Sequence, residues 1–307
     1  MEKLAGCGCV TGLICILVGL CMYFSETIEE AYNIFLAPKT EVKVEYKNEF
    51  YRNYDFGFVQ QMEDLVPHNR NELINVYYTI LNTGETEFSF YCPKDYENCT
   101  KDVKTLANDQ NTLSDINNYV HPFNGFSHIE TEYDTVGRVK VSIKHTYSDD
   151  EIYKIQAAVD KLFLTIYDPS LSELENVRRF HDYIINNSKY DIDKTTNGST
   201  KYKSEIAYGP LFEGYAVCGG YTDLMELFLE KMNIKSYKIS SEKHIWNGVE
   251  LDGTWYHLDL TWDDPVASDG NDYLEHNYFL VDTKTLQSME KTEHYFDEHH
   301  YLEFQSN

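Results

Sequence analysis

The stretch HIWNGVELDGTWYHLDLTWDDP, residues 244–265, constrains the fold more than any other part of the chain. Asp252-Gly253 separates two strand-like runs, and Asp-Gly is a strong two-residue hairpin signal because both positions tolerate positive φ. Folding there pairs Leu251 with Thr254. Counting outward sets Trp246 opposite Asp259 and His244 opposite Thr261. Opposed residues share a face, so His244 and Asp259 are diagonal neighbours within side-chain reach. A carboxylate beside an imidazole fixes its tautomer and stabilises the imidazolium. The face also carries Trp246, Trp255 and His257, so an aromatic packing surface with a satisfied histidine is the competing reading. His257 is the rival base, further from the strand end. Asp263 and Asp264, before Pro265, read as turn residues.

A thiol lies upstream in EGYAVCGGYTDLMELFLEKM, residues 213–232. Tyr221, Leu224, Met225, Phe228, Leu229 and Met232 mark the buried stripe of a helix, which puts Cys218 at or just before its first turn. The unpaired N–H groups and positive dipole end there favour a thiolate. Gly219-Gly220 leaves room for a substrate backbone to approach. Alone, the segment equally describes a structural cysteine packed at a helix start. With the hairpin, it supplies the nucleophile of a Cys218/His244/Asp259 constellation.

The formal net charge of −25 excludes the basic footprint that nucleic acid requires. Hydrophobic residues make up 42% of the 307, enough for a packed core. From Leu4 to Ser25 no residue is charged, a run long enough to span a bilayer at about 20 residues per crossing. It offers no small-x-small cleavage site, and LAGC precedes the apolar run instead of ending it, so an uncleaved signal anchor is the expectation. Lys3 before the run and Glu26, Glu29 and Glu30 after it favour an external C-terminal part. Cys7, Cys9, Cys15 and Cys21 belong to this region. Cys92 and Cys99 either bridge around a turn in an oxidising exterior or remain ordinary thiols.

The organisation expected is an anchor over 1–25, a connector over 26–40 and a β-rich domain over 41–147. A catalytic domain over 148–285 and a tail over 286–307 follow. VKVEY, TEFSFY and RVKVSIKHTY alternate as strands, with Asn-rich loops such as ANDQNTLSDINN between them. At Ser148 the period changes. Capping boxes Ser148–Glu151 and Ser172–Glu175 open two helices, the second with Leu174, Val177, His181 and Ile184 inward. His294, His299 and His300 have no strong metal spacing and read as a solvated acidic tail. DDPVASDGND does not fit an EF-hand loop. No metal or cofactor is expected.

AVCGGYTDLMELFLEKMNI, HIWNGVELDGTWYHLDLTWDD and the following YFLVD resemble the transglutaminase-like superfamily of bacterial surface and exported proteins, over about residues 171 to 282. The resemblance implies an α+β fold with a papain-like core, a Cys-bearing helix packed on an antiparallel sheet. It implies Cys218 as nucleophile, His244 as general base and acid, and Asp259 as orienter. Ile245 stands where the family commonly has Ala and, by parity, points away from His244. The oxyanion donors expected are the Cys218 backbone N–H and either Tyr208 or Tyr215. Trp246, Tyr215 and Trp262 are the substrate-binding candidates. The activity implied is thioester-forming chemistry on amide bonds of proteins or peptides at the cell surface: transamidation, deamidation or proteolysis. The alternative is a surface binding module that keeps the fold without turnover.

Overall fold

The computed structural model describes residues 44–134, 137–266 and 273–306. The expected anchor and connector lie outside them. Among the described residues no helix is long and apolar enough to cross a membrane. Lys43–Asn307 forms one compact unit.

The elements follow in chain order. The first part holds α1 (Arg70–Asn82), β1 (Glu87–Tyr91), α2 (Cys99–Ala107), α3 (Gln110–Asn118), β2 (Phe126–Tyr133) and β3 (Arg138–His145). Next come α4 (Asp149–Ile166), α5 (Glu173–Asn186), β4 (Lys189–Tyr190), α6 (Ile192–Asn197), β5 (Tyr215–Ala216) and α7 (Cys218–Lys231). β6 (Ser236–Ser240), β7 (Ile245–Leu251), β8 (Thr254–Leu258) and α8 (Thr283–Met289) complete the set. The strands make an antiparallel sheet β1-β3-β2, a parallel pair β4-β5 and an antiparallel sheet β6-β7-β8. The chain is therefore a mixed α+β fold.

The hairpin forms in the expected register, Leu251 opposite Thr254 and Asn247 opposite Leu258. Asp252 and Gly253 both take positive φ, 51° and 77°, as the tight turn demands. Both capping boxes form, at Ser148 and at Ser172. On α5, Val177, His181 and Ile184 are buried, whereas Leu174 is exposed. Cys92 and Cys99 form a disulfide.

The region expected to be β-rich is mixed. TEFSFY and RVKVSIKHTY become β1 and β3, but three helices precede or separate the strands. ANDQNTLSDINN is not a loop, because Asp109 caps α3 through the Thr112 N–H at 3.1 Å and Leu113 and Ile116 bury a helical stripe. Asn118 then donates to Ser240 and Tyr301, so its polar groups are spent inside the fold.

Residue 148 does not separate two cores. Tyr237, Ile239 and Trp246, on one face of β6-β7, share a cluster with Leu73, Tyr77, Tyr119 and Val141. Val249, Leu251 and Leu258, on the other face, pack with α4, α5 and α7. The last segment is also not a solvated tail. Phe296, Tyr301 and Phe304 are buried in the first cluster, Tyr301 completely. The sheet that bears the site is thus covered on both faces.

Candidate active site

Helix α7 begins at Cys218, and its N-cap, Val217, supplies no side-chain acceptor. The first turn is fixed by tight backbone packing. A Cβ on Gly219 would lie 2.6 Å from the Glu205 carbonyl oxygen, and one on Gly220 would lie 2.3 Å from that of Ser204. The glycines therefore admit the chain's own 204–206 segment, not a substrate backbone. The Val217 N–H also donates to the Ser204 carbonyl at 2.9 Å. The Thr222 hydroxyl reaches the Cys218 and Ile245 carbonyls at 2.7 and 3.1 Å, tying the thiol's turn to β7.

The helix is buried on every side from Gly220 to Leu229. Its polar flank is neutralised inside the protein. Asp223 pairs with Lys238 at 3.1 Å and accepts from the Tyr147 hydroxyl, Glu226 pairs with Arg52, and Glu230 meets His121 at 2.7 Å. Buried charges persist only when matched in this way. Tyr147, Arg52 and His121 come from the segment that the sequence assigned to another domain.

His244 stands just before β7, positioned by a turn in which Ser241 N–H donates to the His244 carbonyl and His244 N–H to the Ser241 hydroxyl. Its Nε2 lies 2.5 Å from Asp259 Oδ2. Cys218 lies close enough to that ring to favour its charged form. Burial alone would push the His244 imidazole down; the Asp259 charge and hydrogen bond, then Cys218, outweigh it and lift it to about 10. Burial likewise favours a neutral Asp259, but His244 and then His294 hold its carboxyl well below the usual range. Asp259 Oδ1 accepts from the Thr261 and Trp262 N–H groups at 2.9 and 3.3 Å. The structure therefore brings Cys218, His244 and Asp259 together in the order thiol, imidazole, carboxylate.

Two residues beside them carry no signal in the sequence. His294, wholly buried, places Nε2 2.8 Å from the same Asp259 oxygen that His244 uses. It arrives from the C-terminal segment, where no periodicity marks it. Tyr190 pairs with Ala216 across β4-β5, and burial followed by the neighbouring Cys218 pushes its phenol up. It also borders a cleft of about 820 Å³ with Tyr202 and Tyr215.

The other candidates divide. Tyr215 stacks on Tyr202 at 4.0 Å in that cleft. Trp262 is half-buried and lies 5.3 Å from the rings of both His294 and Tyr278. Trp246 is completely buried, which excludes it from touching substrate. It stacks beneath His244 and donates Nε1–H to His257 Nδ1 at 3.0 Å. Indole is a donor only, so His257 carries its proton on Nε2, facing the Thr283 hydroxyl at 3.0 Å. Burial pushes His257 down to about 3, which leaves the rival base neutral and committed to packing. Tyr208 packs on Phe212.

A helix-borne thiol, an imidazole and a carboxylate on an antiparallel sheet are the groups that nucleophilic thiol chemistry requires. No protein-family profile matches the chain, and no curated protein matches it. Solved structures similar over part of it include two. One, described as a TGase, shares 14% identity at a TM-score of 0.34, over 45% of this chain and 45% of its own. The other, a candidate cysteine protease from Cytophaga hutchinsonii, shares 16% at 0.28, over 44% of this chain and 61% of its own. Scores this low carry no weight beside the geometry.

Proposed function

We propose that the chain is a thiol acyl-transfer enzyme acting on amide bonds of proteins or peptides at the cell surface, held there by residues 4–25. The observation that carries this reading is the imidazole of His244: one ring nitrogen is held by Asp259 at 2.5 Å, and Cys218 lies beside the ring. With the thiol proton already held on His244, which is raised to about 10, the Cys218 sulfur attacks a carboxamide carbonyl. His244 then returns a proton to the departing ammonia or amine as the C–N bond breaks, leaving a thioester. An amine or water enters next, deprotonated by the same imidazole. Asp259 stays ionised throughout and holds the ring in register. The Cys218 N–H at the helix start is a donor for the oxyanion, and Tyr190 stands beside it. The disulfide supports an oxidising compartment, and the net charge of −25 favours a lysine-bearing acceptor.

The test is labelling by a thiol-directed amide electrophile. Wild type should label at least about 100-fold faster than His244→Ala; equal, slow labelling of both would sink the enzyme reading. Amine incorporation into glutamine-containing surface proteins, with Cys218→Ser as control, separates transamidation from hydrolysis.

A further inference from the structure

A second group of two histidines and an aspartate lies outside the thiol site. His181 and Asp182 are adjacent on α5, and His276 comes from the segment after β8. His181 Nδ1 is 2.9 Å from Asp182 Oδ1, and His276 Nε2 is 2.7 Å from the same oxygen. All three atoms lie within 4.8 Å of one another. Behind them, His181 Nε2 is 3.2 Å from Asp263 Oδ2, with both side chains completely inaccessible. Asp263 is itself fixed, since its other oxygen accepts the Tyr278 N–H at 2.9 Å.

This geometry sets a charge requirement. A neutral imidazole has one N–H and cannot donate to both Asp182 and Asp263. If Nε2–H serves Asp263, the Nδ1 lone pair points at a carboxylate oxygen 2.9 Å away. Two electron-rich atoms at that distance need a cation between them, either a proton or a metal. A carboxylate bonded to the far nitrogen of a histidine is also the usual support behind a metal-ligating imidazole, because it fixes the tautomer and raises ligand basicity.

We infer that His181 Nδ1, Asp182 and His276 Nε2 form a binding site for a zinc-class divalent cation, with Asp263 as the buried support of His181. Two imidazole nitrogens and one carboxylate oxygen are a ligand set that suits zinc and excludes calcium or magnesium, which require oxygen. Ligands on a tetrahedral zinc stand about 3.3 Å apart at bond lengths near 2.0–2.1 Å. The contacts of 2.7 and 2.9 Å must therefore open by roughly half an ångström. Asp182 and His276 are each about one-third exposed, which gives them that freedom and gives the ion a path in. The carboxylate shared by His244 and His294 has no such path, because all three of its residues are buried. A bound ion would staple the segment after β8 to α5.

The experiment titrates the full chain with Zn²⁺ by calorimetry and thermal melting, and with Co²⁺ by absorption. Expected are one equivalent bound, a raised melting midpoint, and a Co²⁺ spectrum without a thiolate charge-transfer band. His276→Gln, at a position about one-third exposed, should weaken binding about 100-fold and Asp263→Asn about tenfold, while His294→Gln binds as wild type. Ca²⁺ should not compete. Retained binding in both His276→Gln and Asp182→Asn would overturn the assignment, as would loss in His294→Gln or a thiolate band that marks Cys218 as the ligand.

Discussion

Two clusters in this protein each ask one carboxylate oxygen to serve two imidazoles, and their surroundings give them different chemistry. At Asp259 the nitrogens of His244 and His294 approach to 2.5 and 2.8 Å in a sealed setting, with a thiol on the far side of one ring. At Asp182 the nitrogens of His181 and His276 approach to 2.9 and 2.7 Å with one side open, and a second carboxylate stands behind one ring. A thiol beside the first suits the proton exchange proposed for His244. A second anion beside the second makes a demand for a permanent cation. Ligand-like composition therefore does not assign a role; the group on the far side of each histidine does.

The largest break in this comparison comes from Asp259→Asn. It preserves shape but offers His244 a side chain that supports the wrong tautomer, and acyl-transfer activity should fall by about 10⁴-fold. Stopped-flow labelling of Cys218 measures it, and a loss under tenfold would remove Asp259 as orienter. His294→Gln is milder. It frees Asp259 Oδ2 for His244 alone, so activity should change by about tenfold and the His244 limb of the pH profile should move upward from about 10. An unmoved limb would make His294 a packing residue only.

The smallest effect is on stability. His244 is raised in the folded chain from 6.5 to about 10. Its contribution is therefore complete below about 6.5 and is lost as pH climbs toward about 10. Asp259, shifted the other way, loses its contribution on acidification. Melting midpoints across the alkaline range should decline in wild type and stay flatter in Asp259→Asn. An identical slope in both would mean that the pair does not set it.

What could be read without coordinates was local. Asp252-Gly253 fixed the hairpin register, and the register placed His244 near Asp259 by counting alone. Two Ser–Glu boxes located the starts of α4 and α5. What could not be read was brought by distant chain. His294 meets Asp259 from 35 residues away, and Asn118 meets Tyr301 across 183. Neither separation leaves a periodic trace. Nor does the sequence of α7 show what meets Asp223, Glu226 and Glu230: Lys238, Arg52 and His121 come from elsewhere in the chain. Trp246 was assigned to the substrate because aromatic residues on a site-bearing strand serve packing and binding equally well; only its complete burial decides between them.

The C-terminal segment also bears on the order of assembly. Cys218, His244 and Asp259 are synthesised before His294, Phe296, Tyr301 and Phe304, yet those residues brace Asp259 and fill the core beneath the sheet. An emerging chain therefore carries a thiol whose partners are not yet held in place, because contacts of long sequence separation close late. On the proposed reading, full reactivity comes only once the polypeptide that follows the site has docked.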